Sequence, residues 1–183
     1  MRAMRIRHAV AVILLALGLL AAGCGDGGGD SAGSSDEGSA SGTGYELALV
    51  AGWRDVTEKT EGSAIRFDLL IGRPGGTFTT NVNVLRENAG NLELGDLRKA
   101  YRGQLRSFGA RKITKATPAT VDDEDAFTYE YDARAPDEQK LHGRQVIVIH
   151  DGHAYTITLS ALRSTFAAAS DDLDTMLGSW RWK

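Results

Sequence analysis

Asp151-Gly152 sits between two strand-like runs, Gln145–His150 and His153–Ser160. That dipeptide supplies the left-handed backbone of a tight two-residue hairpin turn. It fixes the pairing as well: His150 opposes His153, Val148 opposes Tyr155 and Val146 opposes Ile157. Ile149 with Ala154 and Ile147 with Thr156 then occupy the other face. Both faces carry apolar groups, so the hairpin must lie inside the fold and be covered on two sides. A register slip of one residue would exchange the faces.

The remaining segments fit around that hairpin. Tyr45–Leu49 reads as a short strand before Gly52-Trp53. Ala64–Ile71 alternates, with Ile65, Phe67, Leu69 and Ile71 on one face. Arg73-Pro74-Gly75-Gly76 is a turn, and Phe78–Leu85 alternates again, grouping Phe78, Thr80, Val82 and Val84. Leu97, Tyr101, Leu105 and Phe108 then recur at helical spacing, with Asp96 as the cap and Gly109 as the stop. Lys112–Val121 contains Pro118 and reads as an edge or irregular strand. Ala126–Arg134 places Phe127, Tyr129, Tyr131 and Ala133 together. A closing helix over 164–177 buries Phe166, Ala169, Leu173, Met176 and Leu177, and Trp180 and Trp182 follow. Strands joined by hairpins exclude a doubly wound parallel sheet. The fold class is α+β, a twisted and mostly antiparallel sheet flanked by helices.

The N-terminus has a different character. Arg2, Arg5 and Arg7 precede an apolar run of 14 residues, Ala9 to Ala22. A spanning helix needs about 20, whereas a basic start and a short apolar core suit a secretion signal. The run closes in Leu20-Ala21-Ala22-Gly23-Cys24, which resembles the lipobox of bacterial lipoproteins. The resemblance implies cleavage between Gly23 and Cys24 and diacylation of Cys24. Cys24 is the single cysteine, so no internal disulfide forms, and two acyl chains give stable anchoring where one does not. Residues 25–44, with eight Gly and five Ser, read as a flexible tether of about 25 Å mean reach. The expected domains are a signal peptide at 1–23, a lipidated tether at 24–44 and one folded domain at 45–183, with the protein held at the cell membrane on its extracytoplasmic face.

Charge narrows the partners. Residues 1–23 take three of the 21 basic residues and none of the 24 acids, leaving a formal charge of −6. The tether holds Asp26, Asp30, Asp36 and Glu37, so the domain is nearly neutral. Such a balance does not provide the basic footprint of a nucleic-acid binder, nor a net attraction to anionic lipid.

The strand before Gly52-Trp53-Arg54-Asp55-Val56-Thr57, the strand Phe78–Val84, the helix over 97–108, the stretch from Gly143 through Asp151-Gly152 to Thr158 and the closing helix with Ser179-Trp180 together resemble the PsbP-like domains. Within that group they are similar to the LpqN-type lipoproteins of actinobacteria. The resemblance implies a central antiparallel sheet with helices on both sides and a role in binding or scaffolding. It offers no shared catalytic residues to carry over.

His142, His150 and His153 survive cleavage, and His150 and His153 face each other across the hairpin as candidates for a shared metal ion, with no third ligand evident. The more ordinary reading is two polar residues at a hairpin end. No Gly-x-Ser-x-Gly elbow, Ser-x-x-Lys pair, phosphate loop or calcium loop is present. Asp122-Asp123-Glu124-Asp125 reads as a turn, and Asp171, Asp172 and Asp174 as the polar side of the last helix. Trp53 and Trp180 are expected in the core, and Trp182 is expected to be the more exposed. No catalytic residue and no cofactor are expected. The leading expectation is a lipid-anchored envelope module, without catalytic activity, that binds a protein or a small apolar ligand. The alternatives are a hydrolase of cell-wall or lipid substrates, built on one of the histidines with a serine and a carboxylate, and a metal-binding lipoprotein using His150 and His153.

Overall fold

The computed structural model describes residues 38–183 except 61–64, 76 and 136. The signal, Gly23, Cys24 and most of the tether lie outside the described residues. The elements are β1 Ser39–Gly42, β2 Tyr45–Ala48, β3 Arg54–Asp55, a 3₁₀ turn at Thr57–Thr60, β4 Leu69–Arg73, β5 Thr80–Asn88, α1 Leu94–Ser107, β6 Thr117–Val121, β7 Glu124–Arg134, β8 Lys140–His150, β9 His153–Leu162, α2 Phe166–Ser179 and β10 Arg181–Trp182. A seven-stranded sheet runs β3-β4-β5-β9-β8-β7-β6, and a three-stranded sheet runs β1-β2-β10. All pairings are antiparallel.

The β8–β9 hairpin is central, with the register that the turn dictates, from His150 opposite His153 to Val146 opposite Ile157. Asp151 and Gly152 both take positive φ, 46° and 70°. One face of the sheet packs Val82, Val84, Val146, Val148, Ile157 and Leu159 against Ala169, Leu173 and Met176 of α2. The other packs Phe127, Tyr129, Tyr131 and Ile147 against Leu97, Tyr101 and Leu105 of α1. The two helices therefore cover opposite faces, as the two-sided hairpin requires. At the end of α1, Gly109 adopts φ 86°. Its N–H reaches the Arg106 carbonyl, and the Ala110 N–H reaches that of Leu105, a left-handed cap that only glycine adopts cheaply.

Several local expectations are corrected. Part of the stretch read as tether is folded: Ser39–Gly42 forms β1, Ala40 is buried, and the Thr43 N–H and hydroxyl donate to Asp68 at 3.0 and 2.7 Å. Composition hides this because Gly42 is required sterically, a Cβ there meeting the Tyr45 hydroxyl and Asp68, and Gly44 supplies the turn at φ 87°. The strand expected over 64–71 starts only at Leu69, because Phe67 turns away to pack with Leu70 and Leu85, while Leu69 and Ile71 join the α2-side core. Phe78 lies before β5 and belongs to the α1-side core rather than with Val82 and Val84. Asp96 is the third residue of the α1 cap, not its first: Glu93 caps, and its N–H donates back to Asp96 at 3.4 Å. Phe108 leaves the stripe and is 45 % exposed.

The smaller sheet is riveted to the larger by aromatic rings. Tyr45 stacks on Trp180 with centroids 4.0 Å apart and meets Tyr155 edge-on at 5.7 Å. Trp182 is the more exposed of the three tryptophans, as expected, and as part of β10 it pairs with Tyr45 and stacks on His150 at 4.2 Å.

Gly143 on β8 lies opposite Tyr131 on β7, and a Cβ there would collide with the buried Tyr131 ring. Gly143→Ala should therefore cost about 2 kcal/mol, the usual range for overpacking. Urea unfolding checks this; an unchanged midpoint would show that the ring yields freely.

Candidate functional site

A cleft of about 1050 Å³, open to solvent, lies on the α2 side, between that helix and the β6–β7 hairpin. Its floor is Thr128 and Glu130 of β7 with Arg144 of β8; Ser170, Asp174 and Gly178 of α2 form one wall, and Thr117 and Ala119 of β6 the other. The hairpin turns on Asp122 and Asp123, both at positive φ, 44° and 68°, so the first half of the acidic run is a turn as expected, while Glu124 and Asp125 open β7. β6 is the edge strand, and Pro118 withholds one N–H from it, which blunts the edge against a further strand.

The charges of the floor are engaged within the domain. Arg144 donates to Ser170 at 3.0 Å and pairs with Asp174 at 2.8 Å, and Arg181 meets Asp122 at 3.4 Å at one end. At the other end His142 sits between two carboxylates, Nδ1 at 2.7 Å from Asp132 and Nε2 at 3.4 Å from Glu130, with its ring edge-on to Phe166. Asp132 also receives Arg163 at 2.7 Å and Lys112 at 3.1 Å. The Thr128 hydroxyl is buried and has no partner among the described residues.

The histidines do not assemble a catalytic or metal-binding set. Among the described residues no serine or threonine hydroxyl hydrogen-bonds to a histidine ring. His150 Nδ1 lies 3.0 Å from Glu124. His153 faces it in register, as expected, but its Nδ1 is 2.8 Å from the Asp151 carbonyl. Among the described residues there is no group of three His, Cys, Asp or Glu side chains that could hold a metal ion. Trp53 and Trp180 are buried in the core as expected, and Trp53 Nε1 donates to Asp172 at 2.9 Å.

Arg144, Thr128 and Glu130 escaped the sequence reading. The available signal was Arg144 itself: it shares the alternation of Val146 and Val148, so a charge stands where that face calls for an apolar side chain. Only a partner on a helix two dozen residues further along the chain makes the position tolerable, and period alone does not reveal it.

The cluster around Asp132 makes stability depend on pH. Partial burial pulls the Asp132 carboxyl upward, but donors from His142, Lys112 and Arg163 outweigh it and hold the group at about 2, below its ordinary 3.8. A carboxyl depressed in the folded state stabilises above its unfolded value and loses that contribution as pH falls through the folded one. The loss therefore falls between about pH 4 and pH 2 and amounts to about 1 kcal/mol after solvent screening. Denaturation of the wild type and Asp132→Asn across that window should show the wild type losing its advantage; parallel curves would refute the assignment.

A family model described as PsbP matches residues 39–182. Two solved structures share the fold. LpqN, involved in cell envelope biogenesis of Mycobacterium tuberculosis, aligns at 11 % identity with a TM-score of 0.60, covering 75 % of this chain and 84 % of its own. CyanoP, the cyanobacterial PsbP of Synechocystis sp. PCC 6803, aligns at 19 % identity with a TM-score of 0.60, covering 86 % of this chain and 98 % of its own. No curated protein sequence matches the chain.

Proposed function

The chain belongs to the PsbP family, and from that premise we propose that it is a non-catalytic binding or scaffolding module of the cell envelope, anchored through lipid on Cys24, whose α2-side cleft engages a protein partner. The observation that carries this reading is the state of the cleft. It is large and open, its floor charges are already paired within the domain, and among the described residues no nucleophile meets a base within it. Such a surface recognises rather than reacts. Its lining is Thr, Ser, Asp, Glu and Arg for the most part, which favours a polar protein segment over a small apolar ligand. The anchor rests on the lipobox resemblance and the single cysteine, and the likeness of fold to LpqN supports an envelope setting.

Two measurements test the two halves. Intact mass and membrane fractionation should find the native protein beginning at Cys24, acylated and in the membrane, with Cys24→Ser unmodified and released; a soluble, unacylated native protein ends the anchor reading. A photo-crosslinking residue at Thr117 should capture envelope protein where one at Lys59, outside the cleft, does not. Equal capture from both positions would remove the cleft from consideration.

A further inference from the structure

The near-neutral total conceals a separation of charge. From Leu94 to Val121 the chain carries seven basic residues and one acid, Asp96. Asp122-Asp123-Glu124-Asp125, with Asp171, Asp172 and Asp174, supplies seven acids to the β6–β7 turn and α2. Because α1 and α2 cover opposite faces of the sheet, the basic segment is concentrated around α1; of the seven acids Asp125 lies beside Arg98 on that side, and among the rest Asp122, Asp172 and Asp174 are paired with Arg181, Arg73 and Arg144.

The basic segment forms one surface. Arg98, Arg102 and Arg106 repeat at four-residue spacing and so share one flank of α1. Arg102 donates to the Ile113 carbonyl at 3.3 Å, which brings that flank against the following loop, where Arg111 and Lys115 are exposed. Among the described residues no ion pair engages Arg98, Arg106, Arg111 or Lys115. Phe108, 45 % exposed, protrudes at the glycine cap between Arg106 and Arg111. An exposed aromatic ring between cations matches the boundary of an anionic bilayer, where the ring enters the interface and the cations meet phosphate.

We infer that this α1 flank, tipped by Phe108, docks on the anionic headgroups of the membrane and turns the α2-side cleft away from it. The inference rests on the proposed anchor for its setting. The fifteen residues from Cys24 to Gly38 span at most about 50 Å when extended, against a radius of gyration of about 15 Å for a domain of this size. The tether therefore lets the α1 face reach the surface although β1 packs on the α2 side. Charge then selects the orientation: headgroups attract the arginines and repel the acids.

The test separates this surface from the anchor by using the Cys24→Ser chain, which carries no acyl group. It should sediment with vesicles containing phosphatidylglycerol at low ionic strength, about 0.05 M, be released at about 0.5 M, and ignore vesicles of phosphatidylcholine alone. Arg98→Ala and Arg106→Ala should each weaken binding about fivefold, Phe108→Ser should weaken it further, and Asp171→Asn on the opposite face should not. Equal partition onto neutral vesicles, insensitivity to salt, or undiminished binding by the Arg98→Ala/Arg106→Ala chain would overturn the inference. Sedimentation without vesicles would overturn it too, by showing that a second copy occupies the patch. Because the wild-type salt and lipid dependence needs no substitution, misfolding of a variant leaves the test intact. Acylation of the native protein with no vesicle binding by the Cys24→Ser chain would sink this surface and leave the anchor standing.

Discussion

Everything in this domain is arranged around a hairpin that cannot be exposed on either side. Val146, Val148 and Ile157 lie on one face of β8–β9, Ile147 and Ala154 on the other, and all are buried. Apolar surface on both sides of one ribbon forces a cover on each. α1 and α2 are those covers, and each is amphipathic, so each brings a polar outer side to a different face of the molecule. The cleft exists because α2 stops short of the β6–β7 edge; the basic surface exists because α1 lies on the other side. One turn dipeptide thus positions both surfaces.

What was legible in the sequence followed from that local logic. The hairpin register, the Phe127–Ala133 stripe and, in the helices, Leu97, Tyr101, Leu105, Ala169, Leu173 and Met176 were written in period and turn chemistry, whereas Phe166 and Leu177 are only partly buried and Phe108 is exposed. What was not legible depended on distant partners. Ser39–Gly42 has the composition of a coil and becomes a strand only because β2 and Asp68 receive it. Phe67 and Leu69 share an alternation in the sequence but part company where the chain bends into β4. The cleft floor was silent for the same reason: Arg144 finds Ser170 and Asp174 only after α2 has folded back over the sheet.

The α1 side of the sheet shows a further limit of apolar pattern. Asn81, Asn83, Gln145, Thr156, Thr158 and Ser160 are all buried there, on three neighbouring strands. Buried polar groups need partners, and some find them: Gln145 donates to Thr158 at 3.2 Å, and the Tyr101 hydroxyl meets that of Thr156. The Tyr101 contact gives α1 a fixed seat, because sliding the helix along the strands would strand both hydroxyls. Apolar packing alone tolerates such sliding more readily. Polar residues in this core therefore specify where α1 sits, and with it the direction in which the arginine flank points.

That seat matters more than the net charge. A domain with nearly equal numbers of acids and bases has no reason, at long range, to prefer one orientation near a charged surface. A domain with the same total but an unpaired basic flank on one helix carries an uneven field, and such a domain held within a tether's length of a charged surface is oriented by it. The field of an anionic leaflet falls off within a Debye length, about 8 Å at physiological ionic strength, so only a tethered protein spends enough time inside it for orientation to count. In the proposed anchoring, the reach from Cys24 to β1 and the opposed helices act together: the first would keep the domain within range, and the second would decide which face it presents to a partner.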